Sequence, residues 1–228
     1  MGKIVLCYGG WGGQWSWELV APELVKLGHE VRTPDLPLET LAGDTAAVQA
    51  AADDLGGPVV VAGWSYGGMV ITGLDLPAGS HLLYIAAFMP DEGQSILSMT
   101  QDREQSPFMQ SLLFKDDGTV MVDESQATPL LWPDAPPDVA ARFAAEVAKR
   151  PQAAGTVGEP PGRIAWKDVT STYLLCTKDL AILPDLQRDM AAHATEIVEW
   201  DCSHGPPVSR PGELVALLDK LAASIRTA

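Results

Sequence analysis

The chain has 228 residues, 46% of them hydrophobic and 20% charged. That balance suits one globular domain with room for an insertion and excludes a largely disordered chain. Its formal net charge of −15 repels phosphate backbones and argues against a nucleic-acid partner. No basic amphipathic stretch argues for an anionic membrane surface.

Taken in chain order, residues 3–8 read as a buried strand that ends in Gly9-Gly10-Trp11-Gly12-Gly13. Apolar residues then recur at helical spacing over 15–27. A second strand spans 29–33 and is closed by Pro34-Asp35-Leu36-Pro37. Asp44 stands where it can N-cap an Ala-rich helix that ends near Asp54. Residues 58–63 form a third, wholly apolar strand. A helix over 66–74 follows almost at once, and 81–87 make a fourth strand. This alternation predicts a parallel sheet of about six strands with helices on both faces, an α/β fold. Continuous Val, Leu and Ile runs imply burial on both sides.

The rhythm breaks over 90–166. Prolines crowd there (Pro129, Pro133, Pro136, Pro137), and only 138–149 reads as a strong helix. Met99, Phe108, Met109, Leu112, Leu113, Phe114 and Trp132 make the segment too apolar for a linker. It reads as an insertion lying over the sheet edge, with the core built from 1–89 and 167–228. A strand at 172–177, a helix near 184–192, a strand at 196–200 and a helix from about 211 complete the pattern.

Cys7, Cys176 and Cys202 form no C-x-x-C pair and are odd in number. Reduced, buried thiols fit a cytoplasmic chain. The N-terminal apolar run is too short for a signal-peptide core. No stretch of about 20 apolar residues is present to span a membrane.

Gly63-Trp64-Ser65-Tyr66-Gly67 matches G-x-S-x-G. An apolar strand runs straight into it and a helix leaves with no loop between. A reversal that tight strains the backbone at the serine and needs small residues around it. It holds the serine hydroxyl above the C-terminal edge of the sheet, at a helix start that favours developing negative charge. A Gly-rich turn whose serine merely caps the helix is the plain alternative.

A serine nucleophile needs a base, and the base needs an orienting acid. In a parallel sheet only residues that follow a strand share the serine's edge. His29 and His81 begin strands and His193 ends a helix, so topology selects His204, after the strand at 196–200. Four aspartates follow strands: Asp35, Asp91, Asp179 and Asp201. The chain order serine, acid, base removes Asp35. Asp201 is too close in sequence to His204. Asp179 follows the strand neighbouring the one that leads to His204 and is preferred, with Asp91 second. Two backbone N–H groups must form an oxyanion hole: one at Tyr66, the other around Gly10 or Trp11. A dinucleotide-binding G-x-G-x-x-G fails at Trp15.

With these segments assembled, the chain resembles an α/β-hydrolase over nearly its full length. More narrowly, it resembles compact bacterial hydrolases related to plant methyl-ester esterases and hydroxynitrile lyases. The resemblance is carried by the stretch from Leu6 through the glycine-rich turn to Trp17, by Gly28-His29-Glu30-Val31, Pro34-Asp35-Leu36-Pro37, the serine turn, Cys176-Thr177-Lys178-Asp179 and Ser203-His204. It implies a catalytic triad of Ser65, Asp179 and His204, and an oxyanion hole made by the amides of Gly10 and Tyr66. Two departures stand out. Tyr8 occupies the place of a histidine usual in the family. Gly9 and Gly205 stand where the plant lyases have a threonine and a lysine, which favours hydrolysis.

The insertion would form a lid over an apolar pocket, with Trp11, Trp64, Met89, Phe108 and Trp132 as candidate lining residues. The expected reaction is hydrolysis of a small or medium apolar ester through an acyl-enzyme. A cofactor-free lyase on the same triad and a non-catalytic small-molecule binder are the alternatives. No metal ligand cluster and no organic cofactor is expected. The expected partner is a small apolar ester, with a homodimer left open as the assembly.

Overall fold

The computed structural model describes residues 2–225; Met1 and residues 226–228, at the ends of the expected core, lie outside the described residues. Strand β1 (Lys3–Cys7) is apolar from Ile4 onward and those four residues are fully buried. Helix α1 (Ala21–Lys26) leads to β2 (Glu30–Arg32), and α2 (Leu41–Leu55) to β3 (Val60–Trp64). Helix α3 (Gly67–Thr72) follows β3 at once and precedes β4 (His81–Ile85). After a long excursion, β8 (Thr170–Cys176), α8 (Pro184–Ala191), β9 (Glu196–Trp200), α9 (Pro206–Ser209) and α10 (Pro211–Ser224) end the chain.

The excursion itself holds α4 (Ile96–Thr100), α5 (Pro107–Gln110), β5 (Leu113–Phe114), β6 (Thr119–Met121), α6 (Glu124–Leu131), α7 (Pro137–Val147) and β7 (Gln152–Ala153). Strands β5, β6 and β7 make a small antiparallel sheet.

The main sheet has six strands in the order β2-β1-β3-β4-β8-β9, all parallel. Parallel neighbours need crossover helices, and these must cover the sheet's faces. Helices α1 and α10 pack on each other, as do α2 and α3. The four interior strands β1, β3, β4 and β8 are buried almost throughout. A fully buried Val or Leu there is worth about 1.5–3 kcal/mol. The α/β class, the six strands and the parallel pairing therefore agree with the sequence expectation.

Several local expectations need correction. The apolar pattern over 15–27 is not one helix. It splits into a 3-10 turn, Gln14–Trp17, and α1, because Pro22 lacks an N–H and is tolerated only in a first helical turn. Asp44 does not cap α2. Thr40 does, its hydroxyl accepting from the Gly43 N–H at 3.1 Å, while Asp44 is turned inward and fully buried. The excursion carries four helices, not one. Three are eight residues or shorter, and prolines serve as starters: Pro107 and Pro137 lie in first turns. Pro129 sits inside α6, which ends two residues later. Strands of two or three residues show no readable period.

Among the described residues, no helix is long and apolar enough to cross a membrane.

Candidate active site

The turn after β3 is as tight as its motif demands. Ser65 has φ +57°, a left-handed conformation rare outside glycine. The strain is held from three sides. The Ser65 N–H donates to the Ile85 carbonyl, and its own carbonyl accepts from the Gly68 and Phe88 N–H groups, each at 3.1 Å. Only glycine fits beside it: a Cβ at Gly67 would lie 2.8 Å from the carbonyl oxygens of both Cys7 and Tyr8. At Gly63 it would lie 2.6 Å from the Gly67 carbonyl oxygen.

His204 follows β9 and is 2% exposed. Its Nδ1 lies 2.7 Å from Asp179 Oδ2. Asp179 is buried and accepts from three further donors: Ala181 N–H at 2.7 Å, Ile182 N–H at 2.9 Å and Gln187 Nε2 at 2.8 Å. A carboxylate this deep needs its lone pairs filled, and here they are. The His204 carbonyl accepts from Trp64 Nε1 at 2.8 Å. Next to it, the backbone and hydroxyl of Ser203 donate to Asp134, which ties the histidine loop to the excursion.

The other three histidines have other partners. His29 bridges the Gly2 N–H and Asp219, His81 faces Thr170 and Thr172, and His193 stacks on Trp166. The other aspartates are engaged elsewhere too. Lys167 beside Asp91 and Lys178 beside Asp201 hold those carboxyls below the usual range. A hydrogen bond from the Tyr8 hydroxyl, at 2.6 Å, does the same for Asp35.

Two cavities meet at the serine. One, of about 70 Å³, has walls that include Trp11, Ser65, Tyr66, Phe108, Val120 and Gln152. A smaller one is bordered by Gly10, Trp11, Trp64, Ser65, Trp132 and His204, with Phe108. Trp11 and Phe108 stand edge to face, 5.6 Å between centroids, and border both. Ser65 and His204 thus share a cavity wall; no hydrogen bond joins their side chains among the described residues. Apo catalytic contacts are often long and tighten only around substrate. Among the described residues, the N–H groups of Gly10 and Tyr66 donate to no backbone carbonyl outside regular secondary structure.

Of the expected lining residues, Trp11, Trp64, Phe108 and Trp132 border these cavities. Met89 does not. It is fully buried, and its N–H points at the Met190 sulfur at 3.4 Å, which makes it a core residue. Burial and an apolar side chain look the same in a sequence whether the neighbour is a ligand or a helix.

Some supporting residues escaped the sequence. Gln187 braces Asp179 and also accepts from the Cys176 N–H at 3.0 Å. Its signal was a polar residue within the buried stripe of α8, beside Leu186, Met190 and Ala191. Asp44 accepts from the Tyr66 hydroxyl at 2.6 Å and the Leu38 N–H at 2.8 Å. Burial pushes its carboxyl above the usual range, partly offset by the Tyr66 hydrogen bond. Tyr8 braces the end of β1. Its hydroxyl joins Asp35 to the Leu36 N–H, and the Arg150 guanidinium lies over its ring at 5.4 Å.

Comparison with known proteins gives the chain's relations. The sequence profile of the Alpha/beta hydrolase family matches residues 4–217. An alpha/beta hydrolase of Aspergillus novofumigatus is 28% identical over 89% of this chain and 89% of its own length. Methylesterase 7 of Arabidopsis thaliana is 26% identical over 96% of each chain. The crystal structure of a pyrethroid hydrolase from Sphingobium faniae superposes with a TM-score of 0.81 at 20% identity, covering 97% of both chains.

Proposed function

The chain belongs to the alpha/beta hydrolase family, and from that premise we propose that it is a serine esterase acting on small or medium apolar carboxylic esters. The observation that carries this reading is the buried Asp179–His204 pair, 2.7 Å apart, with His204 and a strained Ser65 on the wall of one cavity. Relatives named as hydrolase and methylesterase support it.

In this reading Ser65 Oγ attacks the ester carbonyl carbon while His204 Nε2 takes its proton. Asp179 holds the imidazole tautomer through Nδ1 and balances the imidazolium. The carbonyl oxygen becomes an oxyanion and accepts from the N–H groups of Gly10 and Tyr66. When the tetrahedral species collapses, the C–O bond to the alcohol breaks and His204 returns the proton to the departing oxygen. Water, deprotonated by His204, then attacks the acyl-enzyme. Its hydroxyl ends on the acid and Ser65 is regenerated. The two cavities flank the serine and would take the two sides of the ester, with residues 90–166 as the lid that walls them.

Lyase chemistry on the same triad is disfavoured by space. A Cβ at residue 9 would lie 2.8 Å from the Ser65 Cβ, and one at residue 205 would lie 3.2 Å from the Trp132 ring. A threonine at position 9 meets the nucleophile itself.

Stopped-flow hydrolysis of p-nitrophenyl butyrate tests the reading. A burst of one p-nitrophenolate per active site, followed by slower steady turnover that yields butyrate, is the expected result. Carbonyl cleavage products without acid, or no burst and no turnover over a panel of esters, would overturn it.

A further inference from the structure

Gln152, in β7, is 4% exposed, and its carbonyl Oε1 is buried without a hydrogen-bond partner. Only one other buried side-chain polar atom among the described residues shares that condition, Trp17 Nε1. An unpaired buried amide oxygen is costly to keep, so its retention beside a cavity calls for a physical reason.

The hydrogen bonds around it assign the amide's orientation. Thr156 Oγ1 donates its single hydrogen to the Ala153 carbonyl at 2.8 Å, so toward Gln152 it can only accept. Gln152 Nε2 supplies that hydrogen bond at 2.8 Å. The oxygen is therefore turned the other way, onto the Gly10 turn. A Cβ on residue 10 would sit 2.3 Å from Oε1, so only glycine admits the approach. The mount is rigid as well: Gln152 pairs with Val120 of β6, and the next residue's N–H donates to the Leu38 carbonyl at 2.9 Å. The cavity that Gln152 walls, together with Ser65, Trp11 and Phe108, is otherwise apolar.

We propose that Gln152 Oε1 is a specificity-determining acceptor, and that the preferred ester carries an O–H or N–H donor within a few bonds of its carbonyl. The inference rests on the esterase reading, because it takes the Gly10 amide as the point where the carbonyl oxygen docks. A donor delivered beside Gly10 approaches the side of the amide that holds the unmet acceptor. An ester lacking the donor leaves it unmet, which is how a buried polar group rejects a deoxy analogue.

The test compares methyl mandelate with methyl phenylacetate, and methyl 3-hydroxy-3-phenylpropanoate with methyl 3-phenylpropanoate. The readout is the ratio of kcat/KM within each pair for a given protein, so a general loss of activity cancels. Wild type is expected to favour the hydroxylated member of at least one pair by about tenfold or more. Gln152→Met, similar in volume and apolar, brings that ratio to about one. Thr156→Ala, which frees the amide to turn, reduces it. An unchanged ratio in Gln152→Met, or a wild type that prefers the deoxy ester in both pairs, overturns the proposal.

Calorimetric titration with mandelamide and phenylacetamide reads the same preference without turnover. A wild type that hydrolyses no ester yet binds mandelamide more tightly, with the difference lost in Gln152→Met, would retain the acceptor and remove the esterase reading. Equal binding of the two amides by such a protein would remove both.

Discussion

Tyr8 shows how one side chain sets local geometry beside the nucleophile turn. Its hydroxyl donates to Asp35 and accepts from the buried Leu36 N–H. Tyr8→Phe leaves that N–H unpaired, an expected cost of about 1–3 kcal/mol near neutral pH. A further, smaller part depends on pH. The Tyr8 hydrogen bond is the main cause that lowers the Asp35 carboxyl. A lowered carboxylate adds stability above its unfolded value of about 3.9 and loses it as the pH falls through the folded value. The difference between wild type and Tyr8→Phe in urea unfolding is therefore expected to narrow below about pH 4. Asp35 is largely exposed, so solvent screening keeps this pH-dependent part small. A difference that widens with acid would contradict the assignment. The sequence showed Tyr8 as a departure from its family and no more. Its partners, Asp35 and Arg150, are 27 and 142 residues distant along the chain, respectively, and only folding brings them together.

At the scale of the element, the unit that matters is β3, the serine turn and α3. It was legible because its determinants are local: an apolar strand, small residues at 63 and 67, and a helix with no loop. The structure adds what the glycines avoid. Gly67 passes between the carbonyls of Cys7 and Tyr8, so Gly67→Ala forces backbone apart in β1 as well as in α3. The expected loss is about 1–3 kcal/mol of stability, read by thermal unfolding, with p-nitrophenyl ester turnover falling in the protein that remains folded. Full stability in Gly67→Ala would mean that the turn is looser than its geometry says. Elements of the excursion were less legible for a physical reason. Helix α5 and strands β5 and β7 have four residues or fewer. They hold through caps and tertiary contacts, such as Ser106 capping α5 and Trp11 Nε1 donating to the Val120 carbonyl at 2.7 Å. No repeat of apolar residues announces contacts of that kind.

Across the whole molecule, the parallel sheet does the sorting. All six strands run one way, so the residues after β3, β8 and β9 share an edge, and Ser65, Asp179 and His204 follow those three strands. This is why the sequence alone selects His204 among four scattered histidines and prefers Asp179 among the aspartates, with Asp91 second. What topology could not reveal was the packing that holds the pair: Gln187 beneath Asp179, Trp64 on the His204 carbonyl, and Asp134 reaching across from the excursion to Ser203. The last two join residues far apart in sequence, and all three depend on a side-chain direction. The same limit applies to Met89, whose burial is real but whose neighbour is Met190 and not the cavity.

The central claim is an activated Ser65, and one measurement reaches it directly. Purified protein is treated with a fluorophosphonate and its intact mass is recorded, beside Ser65→Ala judged folded by its circular dichroism and melting temperature. The account predicts one adduct per wild-type chain, mapped to Ser65, and none on the variant. A folded wild type that takes no adduct, or a variant labelled as fully as wild type, would contradict it.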